Sequence, residues 1–371
     1  MLGLGTLDYP YIIEDVNDLQ DMANDLAAYY KLGNDIDASA TVGWNGGAGF
    51  VPVGTFINPF AGSFNGQEYE ISDLFIDRPG IDEIGLFGYV DAATIRNVSL
   101  SNVDITGDDN IGGLIGWAED STISNCSTTG TVSGDDWVGG LVGYSHSCNI
   151  SDVFSFATVT GTDDYSGGLI GYSADYSVLR SYATGNVTGV DDYVGGLFGY
   201  SSTAEVTDCF ARGNATGDNN VGGLIGYISS GIVENCFSTG LVTGNTNVGG
   251  LIGDNHGTVN DSFWDTQTSG QAASDGGTGK TTSQMKAKST FISAGWDFIV
   301  IWFINGITND GYPFFFEMPP DPLPDSPRAT VAVEDNITLK CIRNIEMAAG
   351  GRFHIDEEGN AVYKSRYARN L

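Results

Sequence analysis

Hydrophobic and polar positions form a pattern that repeats along residues 83–270. Each repeat contains a segment close to Val-Gly-Gly-Leu-Ile-Gly-Tyr, called here the Gly-Gly-Leu motif. Its leucines follow one another at intervals of 28, 27, 28, 28, 27 and 27 residues. They are Leu86, Leu114, Leu141, Leu169, Leu197, Leu224 and Leu251. A fixed period of this size predicts a repeat architecture.

The second half of each repeat carries columns of β-branched residues, which favour strands. One such column is Ile123, Ile150, Val178, Val206, Val233 and Val259. Each repeat therefore predicts about three short strands with turns and no helix. At about 3.3 Å per strand residue, a repeat is long enough for one coil of a β-solenoid. We expect an all-β protein, a parallel β-solenoid of about seven coils, right-handed by analogy, with one continuous core.

The regions beside the repeat predict caps for the two ends of the solenoid, because an open sheet edge must be covered. Residues 1–82 predict an N-terminal cap with the first strands and a helix that Asp15 caps. Its apolar positions are Leu19, Met22, Leu26 and Tyr29. Residues 60–66 predict a hairpin with an Asn-Gly turn. Residues 271–317 predict an aromatic C-terminal cap with a weak helix over 281–293.

The composition changes after this cap. Residues 318–327 are proline-rich and predict a stiff linker. Residues 328–371 predict a small basic tail module with one hairpin, formed by 352–356 and 361–364. The tail would attach the protein to its neighbours.

Charge and composition narrow the function. The net charge of −32 argues against nucleic acid and anionic membrane surfaces as partners. It fits life in salt, cation binding or, equally well, acidity that serves solubility. No apolar run could cross a bilayer, and no signal peptide is visible. The five cysteines form no disulfide framework. Cys126, Cys209 and Cys236 share one column, and we interpret them as small core residues.

Pairs of acidic residues precede the Gly-Gly-Leu motif in successive repeats. They are Asp108, Asp109, Asp135, Asp136, Asp163, Asp164, Asp191, Asp192 and, in the last acidic copy, Asp218. Stacked coils would bring each column to a spacing of about 4.8 Å. Oxygen ligands at that spacing suit Ca²⁺, so calcium is a candidate cofactor. The alternative is a solvated aspartate-rich turn that salt screens.

A column of aromatic residues ends the motif. Its members are Tyr89, Trp117, Tyr144, Tyr172, Tyr200 and Tyr227. An exposed column would bind sugars by stacking, whereas an inward column would be an aromatic core. The strand has no polar face, so alternation does not decide between the two, and we favour structural packing.

Other candidate chemistry fits less well. The run Gly276-Gly-Thr-Gly-Lys-Thr281 lacks the first glycine of a phosphate-binding loop, because that position is Ser274. A polysaccharide lyase needs cations, yet the only basic residues from 82 to 279 are Arg96, Arg180 and Arg212. A polysaccharide hydrolase remains an alternative.

The motif resembles the GLUG motif of bacterial surface proteins and of some secreted peptidases, where it forms a β-helical stalk. The runs at 5–37 and 60–66 are similar to the entry cap of that family, and 276–282 and 295–298 to its exit. The resemblance implies adhesion or display. It implies no catalysis, because the peptidase chemistry lies in another domain and no His-Glu-x-x-His is present. Residues 348–366 are similar to a segment of structural proteins of tailed viruses.

From this sequence we expect a non-enzymatic, extracellular adhesion or receptor-binding stalk on a cell surface or a virion tail. Its partners would be a cell-surface glycan or a protein receptor. It would be a homotrimer if the Gly-Leu-Gly faces of three chains meet. The alternatives are a polysaccharide-active β-helix and a purely structural spacer.

Overall fold

A computed structural model describes residues 1–315 and the strands at 352–355 and 361–364. The chain divides into two units, residues 1–285 and 286–371, and each is described by itself. The first unit is a parallel β-solenoid of about seven coils, so the predicted fold class is confirmed. None of the helices among the described residues is long and apolar enough to cross a membrane.

Four parallel sheets run along the solenoid. Sheet 1 contains ten strands: Tyr11–Ile13, Tyr29–Leu32, Ser63–Asn65, Thr94–Arg96, Thr122–Ser124, Asn149–Ser151, Ser177–Leu179, Glu205–Thr207, Ile232–Glu234 and Thr258–Asn260. Sheet 2 contains fifteen strands: Ile36–Asp37, Glu70–Ser72, Phe75–Asp77, Ser99–Thr106, Ser127–Gly134, Phe154–Ser155, Thr158–Gly161, Tyr182–Ala183, Val187–Gly189, Phe210–Ala211, Ala215–Thr216, Phe237–Ser238, Val242–Thr243, Phe263–Asp265 and Thr278–Lys280.

Sheets 3 and 4 contain the two halves of the Gly-Gly-Leu motif. Sheet 3 contains Ile111–Gly112, Val138–Gly139, Ser166–Gly167, Val194–Gly195, Asn219–Gly222 and Thr246–Gly249. Sheet 4 contains Phe87–Asp91, Ile115–Glu119, Val142–His146, Ile170–Ala174, Phe198–Ser201, Ile225–Ile228 and Ile252–Asn255. The expectation of about three strands per repeat was too low, because the paired glycines turn a sharp corner inside the motif.

Equivalent residues of neighbouring coils stand in register. Val142 pairs with Ile115 on one side and Ile170 on the other, and Ile150 pairs with Ile123 and Val178. Like residues therefore stack on like residues. The leucines of the motif are fully buried in this way, as is the β-branched column of sheet 1 up to Val233. Each buried leucine contributes roughly 1.5–3 kcal/mol of hydrophobic stabilisation.

The burial of these leucines bears on the predicted trimer. Leu114, Leu141, Leu169 and their glycine neighbours are covered within a single chain. They form no exposed Gly-Leu-Gly face for another copy to contact, so that reason for a trimer is wrong. The oligomeric state stays a prediction.

The cysteine interpretation agrees with the structure. Cys126, Cys148, Cys209 and Cys236 are buried and free. Cys209 and Cys236 are stacked neighbours, and the amide of Cys209 donates to Cys236 Sγ over 3.4 Å. Cys341 lies outside the described residues.

The N-terminal cap contains a shorter helix than its sequence predicts. Asp15 accepts hydrogen bonds from the amides of Asn17 and Asp18, as expected of a cap. The α-helix covers only Val16–Asp21 and is followed by 3₁₀-helices at Met22–Asn24 and Ser39–Gly47. Tyr29 belongs to a strand instead, because its backbone pairs with Ser63 in sheet 1.

The hairpin predicted for residues 60–66 is wrong. Ser63–Asn65 pairs in parallel with Tyr29–Lys31 on one side and with Thr94–Arg96 on the other. The glycine after Asn65 serves close packing rather than a hairpin turn. A Cβ at Gly66 would overlap the carbonyl oxygen of Asn97.

In the second unit, short elements surround an aromatic cluster. Its helices are Lys288–Ile292 and the 3₁₀-helix Thr308–Gly311, and Trp302–Phe303 pairs antiparallel with Phe314–Phe315. The helix Thr282–Met285 ends the first unit, so the weak helical prediction for 281–293 is met by two short helices. The Trp302 ring lies 4.6 Å from Trp296 and 4.5 Å from Phe315.

The tail contains the predicted hairpin, in which Arg352–Ile355 pairs antiparallel with Ala361–Lys364. The proline-rich linker at 318–327 and the rest of the tail module lie outside the described residues.

The glycines at the corner of the motif are required for space, since their φ angles are not left-handed. A Cβ at Gly195 would overlap the carbonyl oxygen of Phe198 and lie 2.8 Å from the amide nitrogen of Gly226 in the next coil. The same overlap occurs at Gly139, Gly167, Gly222 and Gly249. The corner therefore admits no side chain.

We predict that Gly195→Ala lowers the free energy of unfolding by about 3 kcal/mol or more, because backbone on both sides must move. Thermal unfolding followed by circular dichroism measures the effect. Gly43→Ala is the matched control, since a Cβ there meets no atom within 4 Å. Equal melting temperatures for the two variants would contradict the role assigned to the corner.

Candidate functional site

The aromatic column of the motif forms a continuous stack on sheet 4, called here row A. Its centroid distances are 5.6 Å from Tyr89 to Trp117, 3.9 Å from Trp117 to Tyr144, and 4.8, 4.7 and 4.9 Å through Tyr172, Tyr200 and Tyr227. Tyr89 is buried, whereas the other five side chains are half-buried. The sequence left two alternatives for this column, an exposed row and an inward aromatic core. The column combines them, since its rings pack on one another along its length and face solvent along one side.

The geometry of row A limits how a ligand could contact it. The planes of Tyr144, Tyr172 and Tyr200 are parallel to within 6°. Parallel rings whose centroids are this close must overlap face to face, because rings side by side stand farther apart. Each of these rings is therefore covered on both faces. Ring edges and phenol oxygens are what the stack presents, so sugar stacking on the ring faces is not favoured.

A second aromatic stack, which the sequence analysis missed, lies beside the first. It consists of Trp137, Tyr165 and Tyr193, called here row B, with centroid distances of 5.8 and 4.8 Å. The rings of row B meet those of row A edge-on. Tyr165 lies 5.7 Å from Tyr200 at 74°, and Tyr193 lies 5.6 Å from Tyr227 at 89°. Rows A and B together form one aromatic face. Each residue of row B directly follows an acidic pair, which was the available signal in the sequence.

The inner aspartates beside row B act as structural acceptors. Asp109, Asp136 and Asp164 each accept the backbone amide of the aspartate one coil further on, over 3.2, 2.8 and 2.9 Å. Asp192 accepts the side-chain amide of Asn219 over 2.8 Å. The inner column is therefore a ladder of hydrogen bonds that joins consecutive coils.

The outer aspartates are more exposed and hydrogen-bond to polar side chains of the next coil. Asp135 accepts from the Thr162 hydroxyl, and Asp218 accepts from the amide of Asn245. Asp108, Asp163 and Asp191 belong to the same column. Among the described residues, no three His, Cys, Asp or Glu side chains converge as a metal site would require. Calcium binding by these columns stays a prediction.

Burial, with the charges of neighbouring carboxylates, raises the pKa of several of these carboxyls. Burial raises the pKa of Asp136 to about 6, and the charges of Asp163, Asp109 and Asp164 add to the rise. Burial is also the main cause of the raised pKa of Asp109 and of Asp164. The inner column therefore carries its negative charge at a cost in stability.

A buried carboxylate interrupts the repeat at one point. Asp175 accepts hydrogen bonds from Ser145 Oγ at 2.5 Å, Ser173 Oγ at 2.8 Å and the Cys148 amide at 3.1 Å. Burial raises its pKa to about 6. His146, on the same strand as Ser145, contacts Glu119 instead at 3.6 Å. No sequence pattern marks this site, because the equivalent residue of the preceding coil is Ser147.

The geometry defines a class: a capped parallel β-solenoid with an aromatic and acidic face. The GLUG motif family model matches residues 217–243, which confirms the resemblance to GLUG-motif β-helices. A second model, the N-terminal region of the M26 IgA1-specific metallo-endopeptidase, matches residues 14–130. The second match covers the predicted entry cap and the first coils.

Two curated relatives are similar to parts of the chain. Halomucin of Haloquadratum walsbyi is 42% identical over 140 residues, which is 35% of this chain and 2% of halomucin. A putative Gly-rich membrane protein of Evansella cellulosilytica is 38% identical over 107 residues, which is 28% of this chain and 12% of that protein. The chain thus spans a small fraction of the length of these relatives.

Among solved structures, an IgA1 protease aligns over 77% of this chain and 24% of its own, with a TM-score of 0.49 and 15% identity. Similarity at this level carries no functional information.

The prediction that the chain is non-enzymatic is contradicted by the family comparison. The match to the M26 N-terminal region relates residues 14–130 to a peptidase family. The prediction rested on the missing His-Glu-x-x-His and on acidic pairs that recur in every coil. Neither observation tests whether a chain belongs to the N-terminal region of a larger peptidase.

We predict that Asp136→Asn stabilises the protein at pH 7, because asparagine keeps the acceptor oxygen and removes the repelled charge. A folded pKa of about 6 lies above the unfolded 3.8, so the stability present below pH 3.8 is lost as pH rises through 6. Allowing for solvent screening of this partly exposed side chain, we expect a gain of about 1 kcal/mol.

Melting temperatures of both proteins at pH 4 and pH 7 test this prediction. The gain should appear at pH 7 and vanish at pH 4. Asp135→Asn is the control, since it removes the same charge from an exposed position in the same coil. An equal gain at both pH values would show that the charge of Asp136, disfavoured by burial and by its neighbours, is not the cause.

Proposed function

We propose that the chain is a surface-displayed recognition module that holds an extracellular partner on its aromatic face. The observation that carries the proposal is the double row of half-buried rings along sheets 3 and 4. Aromatic side chains that stay partly exposed over many coils are typical of binding surfaces. The stacked coils of the solenoid supply a rigid support for these aromatic side chains.

The names of the relatives support a surface or extracellular location. One is a halomucin and the other a putative membrane protein. The excess of 47 acidic over 15 basic residues supports an environment rich in salt, where ions screen the self-repulsion of the chain. We therefore propose a cell surface, rather than a virion, as the place of display.

A second candidate function follows from the family match. The M26 model is named for an IgA1-specific metallo-endopeptidase, and it matches this chain over residues 14–130. In this proposal the solenoid is the recognition part of a larger peptidase-related protein. Immunoglobulin A1 is then one of the partners to be tried. The polysaccharide-active alternative is tested by the same experiment.

We predict that the protein is retained on at least one member of a panel of polysaccharides, cell envelopes and immunoglobulin A1. The readout scores retention and cleavage together, through new reducing ends and new peptide fragments. Retention on the aromatic face should fall at least about tenfold in the triple variant Tyr144→Phe, Tyr172→Phe and Tyr200→Phe. Three hydroxyls at about 0.5–1.5 kcal/mol each account for this loss.

Phenylalanine keeps the stacked rings, so the variant separates hydroxyl contacts from packing. Tyr182→Phe is the matched control, because Tyr182 is buried and its stacked neighbour in the next coil is Phe210. Retention of the wild type on no member of the panel would refute the proposal. Cleavage by the isolated chain would favour an enzyme instead.

We also propose that calcium, if it binds, is held by the exposed outer column. Asp135, Asp163 and Asp191 stand one coil apart and face solvent. We predict that Ca²⁺ raises the melting temperature more than NaCl of equal ionic strength, because binding to the folded state adds to screening. Asp163→Asn should remove the difference. Identical melting temperatures with the two salts would exclude calcium as a cofactor.

A further inference from the structure

The residue two positions before the first glycine of the motif has a left-handed backbone in every coil, beginning with Glu83 at 61° in the first copy. In three coils it is asparagine, with φ angles of 60° at Asn110, 51° at Asn220 and 50° at Asn247. In three consecutive coils between them it is Trp137 at 53°, Tyr165 at 63° and Tyr193 at 62°. The fold thus accepts asparagine at this position and the central coils replace it with an aromatic residue.

This replacement is unfavourable for the backbone. Asparagine is strongly enriched at left-handed positions, whereas bulky residues there are rare. The turn after sheet 1 uses asparagine or aspartate at Asn97, Asn125, Asp152, Asp208, Asn235 and Asp261, all at positive φ, with Arg180 as the exception. Local strain of this kind is concentrated at functional sites. The three aromatic residues are therefore better explained by what they contact outside the chain than by the needs of the turn.

Row B widens the aromatic face only over these coils. Its three rings lie beside Tyr144, Tyr172 and Tyr200 of row A, and together they make a patch of six rings. At about 4.8 Å per coil the patch extends roughly 10 Å between its outer rings. We propose that this six-ring patch binds a glycan strand that lies along the solenoid axis and carries no acidic groups. The inference rests on the proposed function and names its ligand class.

The periodicity of the patch favours a glycan over a peptide. Side chains on one face of an extended peptide recur at about 6.6 Å, which falls out of step with coils at about 4.8 Å. The sugars of an extended glycan follow one another at close to the coil spacing. Ring edges carry partial positive charge and attract the oxygens of sugar hydroxyls. Phenol groups donate and accept hydrogen bonds with the same hydroxyls.

The charges beside the patch exclude acidic glycans. Each ring of row B follows an aspartate pair, and Asp136, Asp164 and Asp192 are its immediate neighbours. Between residues 82 and 279 the only basic residues are Arg96, Arg180 and Arg212. None of them lies in sheet 3 or sheet 4, and Arg180 is paired with Asp152 at 2.7 Å. A uronate or sulfated chain would meet repulsion with no cation to offset it.

The test uses the full chain and three soluble probes: a neutral β-glucan, chitosan and alginate. The variant carries Trp137→Asn, Tyr165→Asn and Tyr193→Asn, each the residue that other coils use at this position. We expect the wild type to bind the glucan or chitosan but not alginate, and the variant to lose that binding at least tenfold while keeping its circular dichroism spectrum. Undiminished binding by the folded variant would overturn the inference.

A second variant tests the selectivity and guards against misfolding of the first. Asp136→Asn, Asp164→Asn and Asp192→Asn keep the acceptor oxygens of the ladder and should allow alginate to bind. If this variant does not bind alginate, the three carboxylates are not what excludes acidic glycans. Wild-type protein that binds none of the glycans, yet is retained on cell envelopes, would refute this inference and leave the proposed function standing. Retention on neither would refute both.

Discussion

The close approach of backbone at the Gly-Gly corner is the constraint on which the rest of the solenoid depends. The first glycine of each pair lies against the carbonyl oxygen three residues ahead and against the amide of the next coil. Any side chain there would separate the coils or open the corner. The corner recurs in six coils at intervals of 27 or 28 residues, and the strand beside it pairs in register from each coil to the next.

Register has opposite consequences for apolar and charged columns. Stacked leucines and cysteines fill the core without strain, because identical shapes follow one another at a constant spacing. Stacked aspartates repel, and the raised pKa of Asp136 expresses that repulsion together with burial. The chain offsets part of the cost by using each inner carboxylate as an acceptor for the next coil. The acidic columns thus join the coils and limit their stability at the same time.

The sequence predicts the columns well and the turns poorly. The period of the repeat, the register of its strands and the cap can be predicted from the spacing of residues along the sequence. The structure preserves the spacing of the repeat from Ile84 to Asn255. The hairpin at 60–66 was missed because an Asn-Gly pair serves two purposes, a tight turn or a close approach, and only the fold distinguishes them. Row B was missed because its three residues stand where the coils on either side of them have Asn110 and Asn220, outside the recurring motif. The motif already resembles that of some secreted peptidases, but residues 14–130 hold no catalytic signature from which a peptidase-related region could be recognised.

A repeat protein can distinguish one part of its length from another only by departing from its own default. Here the default after the acidic pair is asparagine, which suits the left-handed turn, and it returns on both sides of the aromatic coils. The aromatic residues therefore begin at Trp137 and end at Tyr193, although the backbone has the same conformation in the coils beyond both. A requirement of folding would act on all coils alike. A requirement of recognition acts only where the partner lies, and the three consecutive rings of row B fit that pattern.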